Sequence, residues 1–303
     1  MKYIEFSQRS KKDRNRIVKL GEVDPRMARD FPAFVSIFPY DESILMHMEA
    51  TKSDRYERGT VTDYGGDFYC RVIWFDFDNE ESVLNAYVDA KRLVNTLITK
   101  YDVVKGNILV FFSGMKGFHI GLKSEMFGKM EPGNDLPGLV GDMCKNICDR
   151  ILEDGLKSLD NSIYKPNGML RLANSRHEKS GLYKIPLTVD EFIGMGMDRI
   201  KELAKSPRED FEWVRNKILE NEKLRKEWMM VVAKPEETPE DRELLKEMEE
   251  SDDRGKFGLA VKWTQRKYPA QEFGVGMRNN YVHLLGSYCN DFGIGEEGDE
   301  ELA

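Results

Sequence analysis

The sequence predicts an α+β fold whose chemistry sits on a β-α-β-β-α-β unit, and three observations predict it. Val72-Ile73-Trp74-Phe75-Asp76-Phe77-Asp78 is β-branched and aromatic apart from two acids, the make-up of a buried strand. Two stretches, near 80–100 and 137–156, repeat apolar residues at the spacing of one helix face. Three short apolar runs, Ile108–Phe112, Gly117–Leu122 and Met169–Ala173, fall between and after those helices.

In chain order, residues 1–30 are basic and polar (Arg9, Lys11, Lys12, Arg14, Arg16, Lys19) and read as a solvated surface of weak helical character. Contact with a nucleic-acid strand is the alternative reading. Ala33–Phe38 reads as a strand, Ile44–Met48 as another, and Gly59–Gly66 as a turn-rich loop around Tyr64. A strand over 68–78 follows, and alternation puts Asp76 and Asp78 on one face with Phe75 and Phe77 on the other. Glu80 and Glu81 open the first helix, where acids suit the dipole. Val83, Leu84, Tyr87, Val88, Val94, Leu97, Ile98 and Tyr101 form its apolar face. The strands 108–112 and 117–122 are joined by the turn Ser113-Gly114-Met115-Lys116. Val140, Cys144, Ile147, Cys148 and Ile151 mark the second helix, and Met169–Ala173 is the last strand.

This is the ferredoxin-like order also used by RNA-recognition domains. Its strand order, 4-1-3-2, would set the Asp76 strand between the strands of His119 and Arg171. Asp160, just after the second helix, would arrive at the same edge. Beyond 195 the chain turns charged and helix-forming, with an acidic run over 236–253. Trp213, Ile218, Trp228 and Val231 give that part modest apolar faces, and Gly276-Met277-Arg278-Asn279 precedes a final helical pattern. The acidic end, 296–303, has no terminating element, as the front part of a longer protein would not.

Composition narrows the classes. The chain has 303 residues and a formal net charge of −8. Residues 1–200 hold 29 Lys and Arg against 30 Asp and Glu, and the remainder 17 against 24. Local basic patches suit this balance; a general nucleic-acid coat protein does not. No apolar run reaches the ~18 residues that mark a membrane span, and Met1–Glu5 lacks a signal-peptide core. The four cysteines (Cys70, Cys144, Cys148, Cys289) are too scattered for a disulfide framework, so a reducing cytoplasm is expected. Cys144 and Cys148 have no second pair to complete a zinc tetrahedron, and no structural zinc is expected.

Two carboxylates on one face of a hydrophobic strand repel each other and lose hydration. A hard divalent cation, Mg²⁺ or Mn²⁺, would offset both costs. The Ser113–His119 turn adds exposed amides, a lysine and a histidine suited to phosphate. From Arg171 to Lys184, the residues Arg171, Ser175, Arg176, His177, Lys179 and Lys184 crowd further donors together with few acids. Metal-type acids beside phosphate-type donors suggest nucleotidyl chemistry.

Three motifs therefore stand in order: the Asp-x-Asp strand, Ser113-Gly114-x-x-Gly117-x-His119, and Asp160 followed by Arg171-Leu172-x-x-Ser175-x-His177-x-Lys179-x-Gly181. Together, over about 62–187, they resemble the archaeo-eukaryotic primase superfamily, nearest to the primase-polymerases of plasmids, viruses and mobile elements. The resemblance implies a primase-polymerase catalytic core with an N-terminal α/β part over 1–195. A charged helical linker (196–255) and a small helical domain (256–303) would follow. It implies that Asp76, Asp78 and Asp160 hold two Mg²⁺ or Mn²⁺ ions. Ser113, Gly114, Lys116, His119, Arg171, Ser175, His177 and Lys179 would cradle a nucleotide triphosphate. Arg278 would help hold template or initiating nucleotide; Arg176 and Lys184 are weak DNA contacts or plain surface charges.

The implied activity is a DNA-dependent primase-polymerase that makes and extends primers on single-stranded DNA from (d)NTPs, with a replicative helicase as a candidate partner. The zinc-binding insertion of cellular small primase subunits is not visible, which fits a free-standing enzyme. Two alternatives stand beside it: a repair polymerase that only extends primers, and a catalytically silent single-stranded nucleic-acid-binding module. The silent module has no need of three placed carboxylates.

Overall fold

A computed structural model describes residues 2–8, 13–23, 31–151, 158–213, 216–232 and single helical positions between 244 and 262. The chain divides into two compact units, Met1–Val232 and Ala233–Ala303. Arg278, the 274–280 segment and most of the expected 256–303 domain lie outside the described residues.

The first unit begins with β1 (Tyr3–Gln8), β2 (Ile17–Lys19), β3 (Ala33–Ser36), α1 (Ser43–Ala50), β4 (Val72–Asp78) and α2 (Val83–Thr99). It continues with β5 (Ile108–Phe112), β6 (Gly117–Lys123), α3 (Leu136–Ile151), β7 (Met169–Arg171) and β8 (Ile185–Leu187). Three helices end it: α4 (Val189–Gly194), α5 (Met197–Leu203) and α6 (Glu222–Val232). The strands form two four-stranded sheets, ordered β2-β1-β3-β7 and β4-β6-β5-β8, with every pairing antiparallel. The α+β class therefore holds. Among the described residues no helix is long and apolar enough to cross a membrane.

The second sheet follows its sequence pattern. Ile73, Phe75 and Phe77 on β4, Phe118, Ile120 and Leu122 on β6, and Ile108, Val110 and Phe112 on β5 are all buried in one core. Burying one such phenylalanine is worth roughly 2 kcal/mol, so this face fixes the register of the sheet. α2 packs on β4 and β6, α3 on α2 and β4, and α6 on α3. In the charged stretch after 195, two segments as far as Val232 are helical: Met197–Leu203 and Glu222–Val232. α4 starts on a capping box, in which the Thr188 hydroxyl and the Glu191 amide, and the Glu191 carboxylate and the Thr188 amide, pair reciprocally.

Several expectations are corrected. Tyr3–Gln8 and Ile17–Lys19 are strands, and β1 is buried on both faces, so alternation gives no signal there. Ile44–Met48 is helical: Ile44 and Met48, one turn apart, are the buried pair of α1, and Asp41 accepts from the Ser43 amide at its start (2.7 Å). α2 begins at Val83, not at Glu80, and Asn79 Oδ1 accepts from the Glu81 and Ser82 amides ahead of it. Its buried seam is Ala86, Tyr87, Ala90, Leu93, Val94 and Leu97, which leaves Leu84 and Val88 exposed.

The largest correction concerns strand order. Met169–Arg171 does not flank β4 but pairs with β3 in the first sheet. Gly168 is packed so tightly that a Cβ would lie 1.9 Å from the Ile163 carbonyl oxygen, and this turn sends the chain across to the other sheet. Among the described residues β4 has only the segment Ser158–Asp160 on its outer side, through one antiparallel bridge from Phe77 to Leu159.

Candidate active site

The site face of the second sheet is set by register. Asp76 lies opposite His119, His119 opposite Phe111, and Phe111 opposite Pro186. Glycines flank His119 on β6. A Cβ on Gly117 would sit 1.9 Å from the Phe77 carbonyl oxygen and 2.2 Å from Asp78 Oδ1; one on Gly121 would meet the Trp74 ring at 2.7 Å. These absences open a trough in which the side chains of β4 lie across β6.

Asp76 is buried at the centre of that trough. His119 Nε2 stands 3.3 Å from Asp76 Oδ1, but off the line of a hydrogen bond. Asp76 Oδ1 and His119 Nδ1 are buried atoms with no hydrogen-bond partner. Burial first, then the charges of Asp78 and Asp160, hold the Asp76 carboxyl well above the usual carboxylate range. Burial, helped by Lys184 and Arg171, holds His119 well below its ordinary value and keeps it neutral.

Asp160 reaches Asp76 through the backbone: its amide donates to the Asp76 carbonyl (2.8 Å), while the Asp78 amide donates to Ser158 (2.7 Å). The edge that the expected fourth strand would have filled is thus taken by the segment carrying the third acid. The Asp160 carboxylate accepts from the Ser162 amide (2.8 Å) and so also caps the short 3₁₀ turn Asn161–Ile163. Asp160 is thus a turn former and a backbone partner of Asp76 at once.

Lys116 lies 3.3 Å from Asp78 Oδ2 and 3.2 Å from Glu80 Oε1. Partial burial pulls its ammonium down, but the two acids outweigh that and raise it. The Ser113 hydroxyl accepts from the Gly117 amide (3.1 Å) and closes the turn. Gly114, at φ +95°, is in the left-handed region; a Cβ there would crowd the Leu182 oxygen and His177 Cβ at 3.2 and 3.3 Å. The Ser180 hydroxyl donates to the Gly114 carbonyl (2.5 Å). The Ser113–Gly117 turn and the 176–183 hairpin are therefore packed on each other, although the sequence separates them widely.

In that hairpin the His177 amide donates to Leu182 (2.7 Å), and His177 Nδ1 accepts from the Lys179 amide (3.1 Å). Arg176 and Lys179 are exposed. Ser175 is fully buried with its hydroxyl on the Leu172 carbonyl (2.7 Å), so it holds the loop together. Arg171 is buried, stacked over Phe34, and donates to Glu178 (2.7 Å) and the Arg176 carbonyl (3.0 Å). The anion that a buried arginine demands is supplied by Glu178, seven residues on, a pairing that sequence reasoning missed.

Lys184 is the other correction. Expected at the surface, it is buried, with Nζ 4.9 Å from the Phe111 ring centre and 5.4 Å from that of Trp74. Burial drives its pKa down to about 7 against the pull of Asp76. A surface contact with DNA is closed to it. The clue in the sequence was Lys184-Ile185-Pro186-Leu187, where alternation gives Lys184 the face of Pro186, which is also the face of His119.

Among the described residues no three His, Cys, Asp or Glu side chains are grouped as a formed metal centre. The donor chemistry still fits a hard cation: an orphaned carboxylate oxygen on Asp76, with Asp78 and Asp160 adding repulsion that a divalent ion would relieve. Set against known proteins, the chain matches no family model and no curated protein.

Proposed function

We propose that this protein is a nucleotidyltransferase of the primase-polymerase type, acting on a single-stranded DNA template. It would join an NTP or dNTP to a 3′-hydroxyl, or to a second nucleotide when a primer is started. One observation carries this reading: buried Asp76, with an unpartnered oxygen, is crowded by Asp78 and Asp160, and Lys116 and Lys184 stand near the same carboxyl. Acids arranged against one another destabilise a fold and suit a site that receives positive charge.

Asp76, Asp78 and Asp160 would hold Mg²⁺ or Mn²⁺. Ions bound there supply an acidified attacking hydroxyl and charge neutralisation on the triphosphate. In the transfer itself the 3′ oxygen bonds to the α-phosphorus as the bond to pyrophosphate breaks. Lys116, half-exposed and able to exchange Asp78 for a phosphate oxygen, would take up charge on the leaving group. Neutral His119 keeps one ring N–H to donate without adding charge beside the acids. The exposed hairpin residue Lys179, with His177 beside it, would steady the outer phosphates.

The test supplies bare single-stranded DNA, Mg²⁺ or Mn²⁺ and labelled nucleotides, with and without a primer. Products without primer support the full reading. Products only with primer reduce it to a primer-extending polymerase, and none leaves a binding module. Asp78→Ala abolishes every product while circular dichroism stays unchanged; surviving activity would rule out this site.

A further inference from the structure

The position of Lys184 carries a conclusion that rests on the proposed site but not on its substrate. Its Nζ donates one hydrogen bond, to the Arg171 carbonyl at 2.7 Å. No carboxylate pairs with it among the described residues; its other neighbours are the faces of Phe111 and Trp74. A buried amine with a single hydrogen-bond partner weakens a fold whether or not it is protonated, and an apolar chain of the same length would be cheaper to bury. Something other than stability therefore explains a lysine here.

The geometry names it. Arg171 belongs to β7 in the first sheet, whereas Phe111, Trp74 and Asp76 belong to the second. The bond from Lys184 to the Arg171 carbonyl crosses from one sheet to the other beside the acids. The Lys184 main chain adds to the tie, its amide donating to Ser175 (3.0 Å) and its carbonyl accepting from the Asn174 amide (2.7 Å). We infer that Lys184 is a positioning residue: its buried Nζ pins the end of the Arg171 strand against the sheet face that carries Asp76 and His119.

Lys184→Met in the full chain keeps the length and apolar stem and removes the amine donor. The melting temperature is expected to rise, or to stay within about 3 °C of wild type. Backbone amides of residues 171–177 should exchange with deuterium at least about tenfold faster. With template, primer and Mn²⁺, KM for the nucleotide should rise about tenfold while kcat stays within about threefold, the split of a lost positioning contact. A larger fall in melting temperature would make Lys184 a core strut and overturn the inference. So would unchanged exchange at 171–177, or an unchanged KM. If wild-type protein yields no product, the polymerase reading fails, and melting and exchange still decide the role of Lys184.

Discussion

Glu5 on β1 and Asp76 on β4 are both carboxylates on buried strands, and their surroundings differ in kind. Glu5 is fully buried and closed: Arg14 Nε and Nη2 each donate at 2.7 Å, and the Asn15 amide donates at 2.6 Å. Asp76 has an orphaned oxygen, a histidine out of line and two acids as neighbours. One charge is answered within the chain, and the other is left open to be answered from outside. Burial alone does not separate a structural acid from a working one; the completeness of its partners does.

The widest break in this comparison should come from neutralising each acid. Asp76→Asn is expected to lower nucleotide incorporation by roughly a thousandfold or more. The same change should leave stability unchanged or raise it by up to about 2 kcal/mol, because it removes a buried carboxyl crowded by two other acids. Glu5→Gln should do the reverse, costing about 3 kcal/mol in equilibrium denaturation with activity per folded molecule unchanged. Equal losses of stability in the two variants would erase the distinction.

Gly117→Ala sharpens it. A Cβ 1.9 Å from the Phe77 carbonyl forces β6 away from β4, with a cost of about 2 kcal/mol and a loss of activity beyond what unfolding explains. Comparing activity at matched folded fraction checks this.

The smallest effect concerns Glu191, held below its usual range chiefly by Arg208 and the Thr188 amide, which outweigh its partial burial. Because its folded value is depressed, the pairing stabilises above the unfolded pKa of about 4.3, and that stability is lost as pH falls through the folded value. Glu191→Gln should therefore cost about 1 kcal/mol at pH 7 and close to nothing near pH 2, read from denaturation midpoints.

What the sequence made legible was local. β4, the β5–β6 hairpin and α3 each announce themselves within a few residues, and so do Asp76 and His119 on one face. The seam of α2 was displaced because Ala86 and Ala90 bury without adding to a count of large apolar residues. The partner of β7 was hidden for another reason. Which sheet edge a three-residue strand joins depends on the turn at Gly168 and on which edges stay vacant, and neither is local information. Lys184 was misread, and the pairing of Arg171 with Glu178 was missed, because a charge looks alike in sequence whether water or protein answers it. The spacing Gly117-x-His119-x-Gly121 was the underused clue, since alternate glycines in a strand announce that something lies across it.

The lone bridge by which Ser158–Asp160 covers the outer edge of β4 has a consequence for synthesis. The ribosome releases Trp74, Phe75 and Phe77 long before that covering segment exists. A chain stalled short of residue 158 would present an aromatic strand edge with bare amides and carbonyls, a template for sticking to its own kind. Truncated fragments ending near residue 150 should therefore collect in inclusion bodies, whereas those extending past residue 187 should not.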